Sequence, residues 1–281
     1  MTSVLLVAHH ERAEAHHLVL QTAAWLDAHG MTATMVPDEA EALGVGHLGD
    51  DDAVRRASLC VSLGGDGTML RAVHLVASQG LAILGVNVGL LGYLTEVEPA
   101  ALESALERWA AGQQAGGWRI EERMMLDVSL GEGRWTAFNE AVVERRESGH
   151  TVRVLVHIDG APFTSYAADG MIVSTPTGST AYALSARGPV VSPTHRALLV
   201  TPVAPHMLFD RTLVLGPDEA VALELIGHRA AVLTVDGQFV TDVSEGQTVT
   251  VRASDDVARL IRLGERRFHQ ILKAKFGLAD R

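Results

Sequence analysis

The chain carries a single cysteine, Cys60, so no intramolecular disulfide framework is open to it, and a reducing compartment suits it. Basic residues are in short supply: 23 Lys and Arg stand against 34 Asp and Glu, for a formal net charge of −11. Nucleic-acid and membrane-surface partners demand a basic face, so neither is expected. Long apolar runs are missing as well. None approaches membrane-spanning length, and the opening run at residues 4–8 lacks the length and basic flank of a secretory leader. A soluble, cytoplasmic protein is expected. No G-x-x-x-x-G-K-[ST] loop, H-E-x-x-H motif, long repeat or low-complexity tract occurs. The 13 histidines include the pairs His9-His10 and His16-His17. Adjacent side chains project in different directions and no carboxylate-paired spacing accompanies them, so they are read as solvated surface and no metal ligand is assigned.

What is present suffices for an ordinary fold. With 281 residues and 47% hydrophobic content, the chain can build two domains with buried cores. Cys60, inside an apolar run, is read as core. Residues 1–118 alternate short apolar runs (4–8, 32–36, 60–63, 81–86) with helical patterns (13–30, 68–78, 99–111), the signature of a doubly wound, Rossmann-like parallel sheet. Residues 37–52 are acidic and aperiodic and read as a loop. After Gly116-Gly117 the texture changes. Short β-prone runs at 124–130, 134–140, 151–158, 170–174, 221–225, 231–235 and 248–253 are separated by turn signals such as Asp159-Gly160, Asp236-Gly237 and Glu245-Gly246. A mostly β, sandwich-like domain over 119–256 follows. Residues from about 257 read as a terminal helix reaching toward the end of the chain, 257–281, and packing back on the first domain.

The most informative stretch is Leu63-Gly64-Gly65-Asp66-Gly67-Thr68-Met69-Leu70. Strand, glycine turn and helix start together present free backbone N–H groups to a phosphate. The dinucleotide fingerprint does not apply, because Leu70 stands where its third glycine belongs. Asp66 is out of place in a simple phosphate cradle, where it repels the ligand; its presence points to chemistry. The loop and residues 87–93 both fall at carboxyl ends of expected strands, where sheets of this kind bind ligands. Arg71, one helical turn after Gly67, is in range of the same pocket. A second block runs from Asp169 through Ser174, Thr175, Thr177, Gly178, Ser179, Thr180 and Ala181 to Tyr182. A helix is expected to open at Ser179 or Thr180 and close near Gly188. One cap needs one hydroxyl; the surplus reads as a loop that binds a polar nucleotide, with Tyr182 offering a stacking face. Third is Phe138-Asn139-Glu140, an amide and a carboxylate suited to a base edge and ribose hydroxyls. His206, in a Pro-flanked loop, is a further candidate for approach to a phosphate.

With residues 64–68, Asn139-Glu140 and 169–182 in this order, the chain resembles the bacterial NAD kinases. Thr201-Pro202-Val203-Ala204-Pro205-His206 and Val235-Asp236-Gly237-Gln238 match that family too, and the likeness spans roughly 55–260. The resemblance implies an alcohol-accepting phosphotransferase that phosphorylates the 2′-hydroxyl of the adenosine ribose of NAD, giving NADP. It implies Asp66 as general base, Gly67 against the nucleotide, and Gly64, Gly65 and Thr68 in the phosphate loop. Asn139 and Glu140 are implied at the adenine side, with Asp169, Thr177, Thr180, Ala181, Tyr182 and Ser185 as further dinucleotide contacts; Arg71, Ala204 and Gln238 complete the set. The implied donor is ATP or inorganic polyphosphate, with a divalent cation, Mg²⁺, and the implied assembly a homo-oligomer, dimer or tetramer. Ala167-Ala168 stand where some relatives carry a basic side chain. Two other readings compete. A lipid kinase sharing the glycine loop predicts an apolar acceptor groove and no use for Asn139-Glu140. A non-catalytic NAD or NADP sensor predicts a neutral residue at Asp66.

Overall fold

The structure, a computed structural model, describes residues 2–10, 12–89, 92–147, 149–264 and 267–278. The chain forms two compact units: Met1–Glu122 together with Ala258–Arg281, and Arg123–Val257. In the first, parallel strands lie in the order Thr32–Thr34, Ser3–Ala8, Ala57–Gly64 and Ala82–Asn87. The end of the long strand Thr248–Arg262 joins alongside, Arg259 opposite Ala82 and Leu260 opposite Ile83. Strands covered on both faces read as unbroken apolar runs, and residues 4–8 are all fully buried. Helices Ala13–Ala28 and Leu102–Ala110 contribute Leu18, Val19, Leu26, Leu102 and Leu106 to the same core as Leu6, Val61, Leu84 and Val86. Cys60 lies fully buried within its strand, and burial pushes its thiol well above the usual range.

The second unit is antiparallel. One sheet orders Ala161–Ala168, Val152–Ile158, Val221–Leu225 and the beginning of Thr248–Arg262. The other orders Leu213–Leu215, Leu198–Val203, Gly170–Ser174, Glu140–Arg145, Ala231–Val235 and Gln238–Val243. Alternation along the strands gives each sheet one apolar face. Val154, Val156, Val221 and Leu223 of the first sheet share a core with Val143, Val173, Val200 and Leu233 of the second. The α/β unit and the β sandwich thus have the expected character.

Several local expectations require correction. Residues 37–52 are not all loop: Pro37–Ala42 is helical, with Pro at its start and Asp38 and Glu39 in its first turn, and Gly46–Leu48 is a 3₁₀ turn. Proline and acidic side chains both favour a helix N-terminus. The terminal helix does not begin near 257. Residues to Arg262 are strand, and the helix is Phe268–Lys275. The spacing of Val257, Leu260 and Ile261 mimics a helical period, but pairing with residues 82–83 decides the outcome. The parts of the expected helix at 265–266 and 279–281, and residues 90–91 of the 87–93 segment, lie outside the described residues. The helix expected from Ser179 to Gly188 is a 3₁₀ turn, Gly178–Thr180, then one short turn, Tyr182–Ser185.

Candidate functional site

In the first unit the strand Ala57–Gly64 runs out at the glycine loop and the helix Asp66–Val76 starts at once. Gly64 has no room for a side chain, since a Cβ there would stand 2.1 Å from the Thr68 hydroxyl. Helix first-turn N–H groups lack intrahelical acceptors, which suits them to phosphate. Asp66 is half-buried and firmly aimed. Its Oδ2 accepts from the Tyr93 N–H at 2.9 Å and its Oδ1 from the Leu94 N–H at 3.0 Å. Gly92 makes this approach possible, because a Cβ there would lie 2.3 Å from Oδ1. One donor per oxygen fixes the carboxylate and leaves lone pairs on each oxygen for a substrate hydroxyl. Arg71 donates to the Ala8 carbonyl at 2.8 Å and pairs with Glu39 at 3.4 Å, at the carboxyl end of the first strand. Burial pushes the Glu39 carboxyl up, against the opposing pull of Arg71.

In the second unit three sequence-distant segments form one node. Asp236 occupies the two-residue turn between Ala231–Val235 and Gln238–Val243, with φ of +48° there and +77° at Gly237, as an Asp-Gly hairpin turn demands. Its carboxylate reaches across to residues 138–140. Oδ2 accepts from the Phe138 N–H at 2.7 Å; Oδ1 accepts from Asn139 and Glu140 at 2.7 and 3.0 Å. The Thr175 hydroxyl donates to the Phe138 carbonyl at 2.7 Å and accepts from the Gly178 N–H at 3.0 Å. Gly178 lies hard against Asn139, whose carbonyl oxygen would be 2.2 Å from an added Cβ.

Tyr182 spans two carboxyls. Its backbone N–H lies toward Glu140 and its phenol toward Glu144, each lowering the carboxyl it faces against the effect of burial. Asp169 pairs with Arg145 at 2.8 Å. Asn139, Glu140, Thr177, Thr180, Ala181 and Tyr182 therefore belong to one constellation, with Asp169 beside it through Arg145. Ser185 and Ala204 line a groove of about 810 Å³ with Arg187, Pro205 and Met207. Gln238 and His206 are exposed, and the His206 N–H donates to the Ala167 carbonyl.

The hydroxyl cluster is also tied into its own turn. Besides Thr175, Ser179 donates to the Pro176 carbonyl and accepts from the Val191 N–H. Thr180 donates to the Thr177 carbonyl, and Thr177 accepts from Arg123 at 3.4 Å. The surplus hydroxyls largely build the turn. Asp236, which the sequence offered only as part of a hairpin signal, organises the Asn139-Glu140 pair; Asp-Gly after a strand was the available clue.

Glu140 is 5% exposed, and its Oε2 is buried with no hydrogen-bond partner among the described residues. Burial, reinforced by the charge of Asp236 and opposed by the Tyr182 N–H, pushes its carboxyl up to about 8. The folded protein therefore holds a proton that the unfolded chain has released, and the stability this gives is full below the ordinary carboxylate range and lost as pH rises through about 8. Glu140→Gln is expected to flatten that decline and to melt above the wild type at pH 9. Melting curves at pH 6 and pH 9 test it; parallel pH dependence in the two proteins would count against the assignment.

Both units resemble known proteins. Residues 4–114 match a family described as the ATP-NAD kinase N-terminal domain, and residues 138–263 one described as the ATP-NAD kinase C-terminal domain. The chain is 47% identical over 230 residues to an NAD kinase of Heliobacterium modesticaldum, covering 80% of each chain. It is 38% identical over 281 residues to one from Moorella thermoacetica, covering 98% of this chain and 89% of the relative. Among solved structures, a yeast NADH kinase complexed with NADH superposes with a TM-score of 0.90 at 24% identity, over 100% of this chain and 89% of that one.

Proposed function

This chain belongs to the NAD kinase family and phosphorylates NAD, and from that premise we propose how its residues divide the work. Asp66 is the general base. It takes the proton of the 2′-hydroxyl on the adenosine ribose as that oxygen forms its bond to the terminal phosphorus of the donor; the bond from phosphorus to the bridging oxygen breaks, and the shortened donor leaves. A ribose hydroxyl is a poor nucleophile at neutral pH, and a positioned carboxylate contributes about 10²–10⁴ in rate. The observation that carries this reading is the Asp66 carboxylate, held by one backbone N–H on each oxygen at the start of a glycine-loop helix.

The glycine loop, Gly64, Gly65, Gly67 and Thr68, forms the phosphate site, where first-turn N–H groups face the donor while the Thr68 N–H itself donates to the Gly65 carbonyl, and Arg71 adds positive charge at its edge. Asn139 and Glu140 take the adenosine side, and Asp169, Thr177, Thr180, Ala181, Tyr182, Ser185, Ala204 and Gln238 complete the dinucleotide contacts. Among the described residues no group of three or more His, Cys, Asp or Glu could hold a metal ion. A divalent cation, Mg²⁺, carried on the phosphates of the donor is the proposed cofactor. ATP is the proposed donor, supported by the description of the matched family. No helix among the described residues is long and apolar enough to cross a membrane, and a cytoplasmic homo-oligomer is the proposed form. Exposed Leu208, Phe209 and Val214 of the second unit support self-association.

Purified protein with NAD, Mg²⁺ and either ATP or polyphosphate, scored by an NADP-specific dehydrogenase, tests the donor. NADP is expected with ATP. Formation with polyphosphate alone would reverse the donor assignment.

A further inference from the structure

The backbone that holds Asp66 has to be held in turn. With the N–H groups of Tyr93 and Leu94 both turned toward the carboxylate, the next carbonyl along, that of the 94% buried Leu94, needs a donor away from water. That donor is Arg262, whose Nη1 lies 3.0 Å from the Leu94 oxygen. The Arg262 side chain is itself 90% buried, and its guanidinium is fixed from two other sides. Its Nε and Nη2 both donate to Glu121 Oε1, at 3.1 and 3.0 Å, and Nη1 lies 3.5 Å from Glu96 Oε2. Glu96 is locked too, its Oε1 accepting from the N–H groups of Leu263 and Gly264 at 2.8 and 2.7 Å.

A cation so confined is costly to bury, and a hydrophobic side chain of similar volume would serve packing equally well. What an apolar side chain could not supply is a rigid donor at the Leu94 carbonyl. Every group in this chain of contacts is a single link apart: Glu121 to Arg262, Arg262 to the Leu94 carbonyl, the Leu94 N–H to Asp66. Arg262 touches neither Asp66 nor the glycine loop, so its influence passes through the backbone of residues 93–94.

We propose that Arg262 is a positioning residue for the phosphoryl transfer, setting the orientation of Asp66 through the Leu94 peptide with Glu121 as its anchor. The proposal rests on the reading of Asp66 as general base. Misplacing a reacting group by about 1 Å can cost roughly 10²-fold, and residues that act through one group give non-additive losses.

The test is a double-mutant cycle of Arg262→Lys and Asp66→Asn, with kcat and the KM for NAD measured for all four proteins. Lysine keeps the charge but cannot reach the Leu94 carbonyl and Glu121 together with the geometry of a planar fork. Arg262→Lys is expected to lower kcat about 10- to 100-fold with the KM for NAD within about twofold of wild type. In the Asp66→Asn background the same change is expected to cost less than about twofold, because the group it aims is gone. Equal losses in both backgrounds, or no loss in the wild-type background, overturn the proposal. If Asp66→Asn itself retains wild-type kcat, the general-base reading fails and the proposal with it; if Asp66→Asn is impaired while Arg262→Lys is not, only the proposal fails. Should circular dichroism show Arg262→Lys unfolded, the decision passes to Glu121→Gln, which keeps an acceptor for Arg262 but not the charge. It must lower kcat in the wild-type background and leave it unchanged in the Asp66→Asn background, and any other pattern overturns the proposal.

Discussion

Asp66→Asn is expected to lower kcat by about 10²–10⁴-fold while NAD binding measured by calorimetry changes little. The asparagine amide cannot take a proton from a ribose hydroxyl, so the loss falls on the chemical step. The structure adds a second consequence. Each Asp66 oxygen accepts one backbone N–H, from Tyr93 and from Leu94. An asparagine presents one acceptor and one donor, so one of those N–H groups must face an NH₂ and lose its partner. A cost of about 1–3 kcal/mol follows, visible as a lower melting temperature in a protein that still folds. Turnover unchanged in the mutant would remove Asp66 from the chemistry. Lost turnover accompanied by equally weakened NAD binding would assign Asp66 to binding instead.

Asp236→Ala is expected to destabilise the second unit by about 3 kcal/mol, since it strands three backbone donors that now share one carboxylate. The loss also reaches the site. Residues 138–140 lose the tether that shapes their turn, and the KM for NAD is expected to rise at least about tenfold, the equivalent of one such hydrogen bond. Asp236→Asn separates the two contributions. Its carbonyl oxygen can still serve Asn139 and Glu140, the two donors on Oδ1, while Phe138 goes unserved, so this variant is expected to fall midway. Urea denaturation and the KM for NAD, measured across wild type, Asn and Ala, should rank in that order. An alanine variant with wild-type KM would mean that the 138–140 turn holds its shape without Asp236.

The features legible in the sequence were those written in consecutive residues. The glycine loop with its aspartate, the change from alternating helices and strands to short β runs, and the Asp-Gly turns each occupy a few neighbouring positions, and local physics dictates their form. The tethers were not legible, because they join residues far apart in the chain. Asp236 lies 97 positions from Asn139, and Arg262 lies 168 from Leu94; the Asp-Gly turn marks Asp236 as a hairpin residue without naming its distant partners, and nothing local distinguishes Arg262 from an ordinary surface charge. Periodicity misled at residues 257–262, where a helical spacing of Val257, Leu260 and Ile261 meets a parallel neighbour and becomes strand. The hydroxyls of Thr175, Ser179 and Thr180 carry a second role of the same kind, closing their own turn. A cluster of Ser and Thr announces that backbone groups need partners, and only coordinates tell whether those belong to a ligand or to the turn itself.

The first unit is assembled from both sides of the second, from residues up to 122 and again from 258 onward. A ribosome delivers these pieces in order. The 135 residues of the second unit, 123–257, emerge as a continuous block and can collapse while still tethered. The parallel sheet of the first unit must wait for its Arg259–Leu260 edge, and the Leu94 carbonyl for its guanidinium. Synthesis thus completes the second unit's residues before the last strand of the first unit and the guanidinium at the Leu94 carbonyl become available.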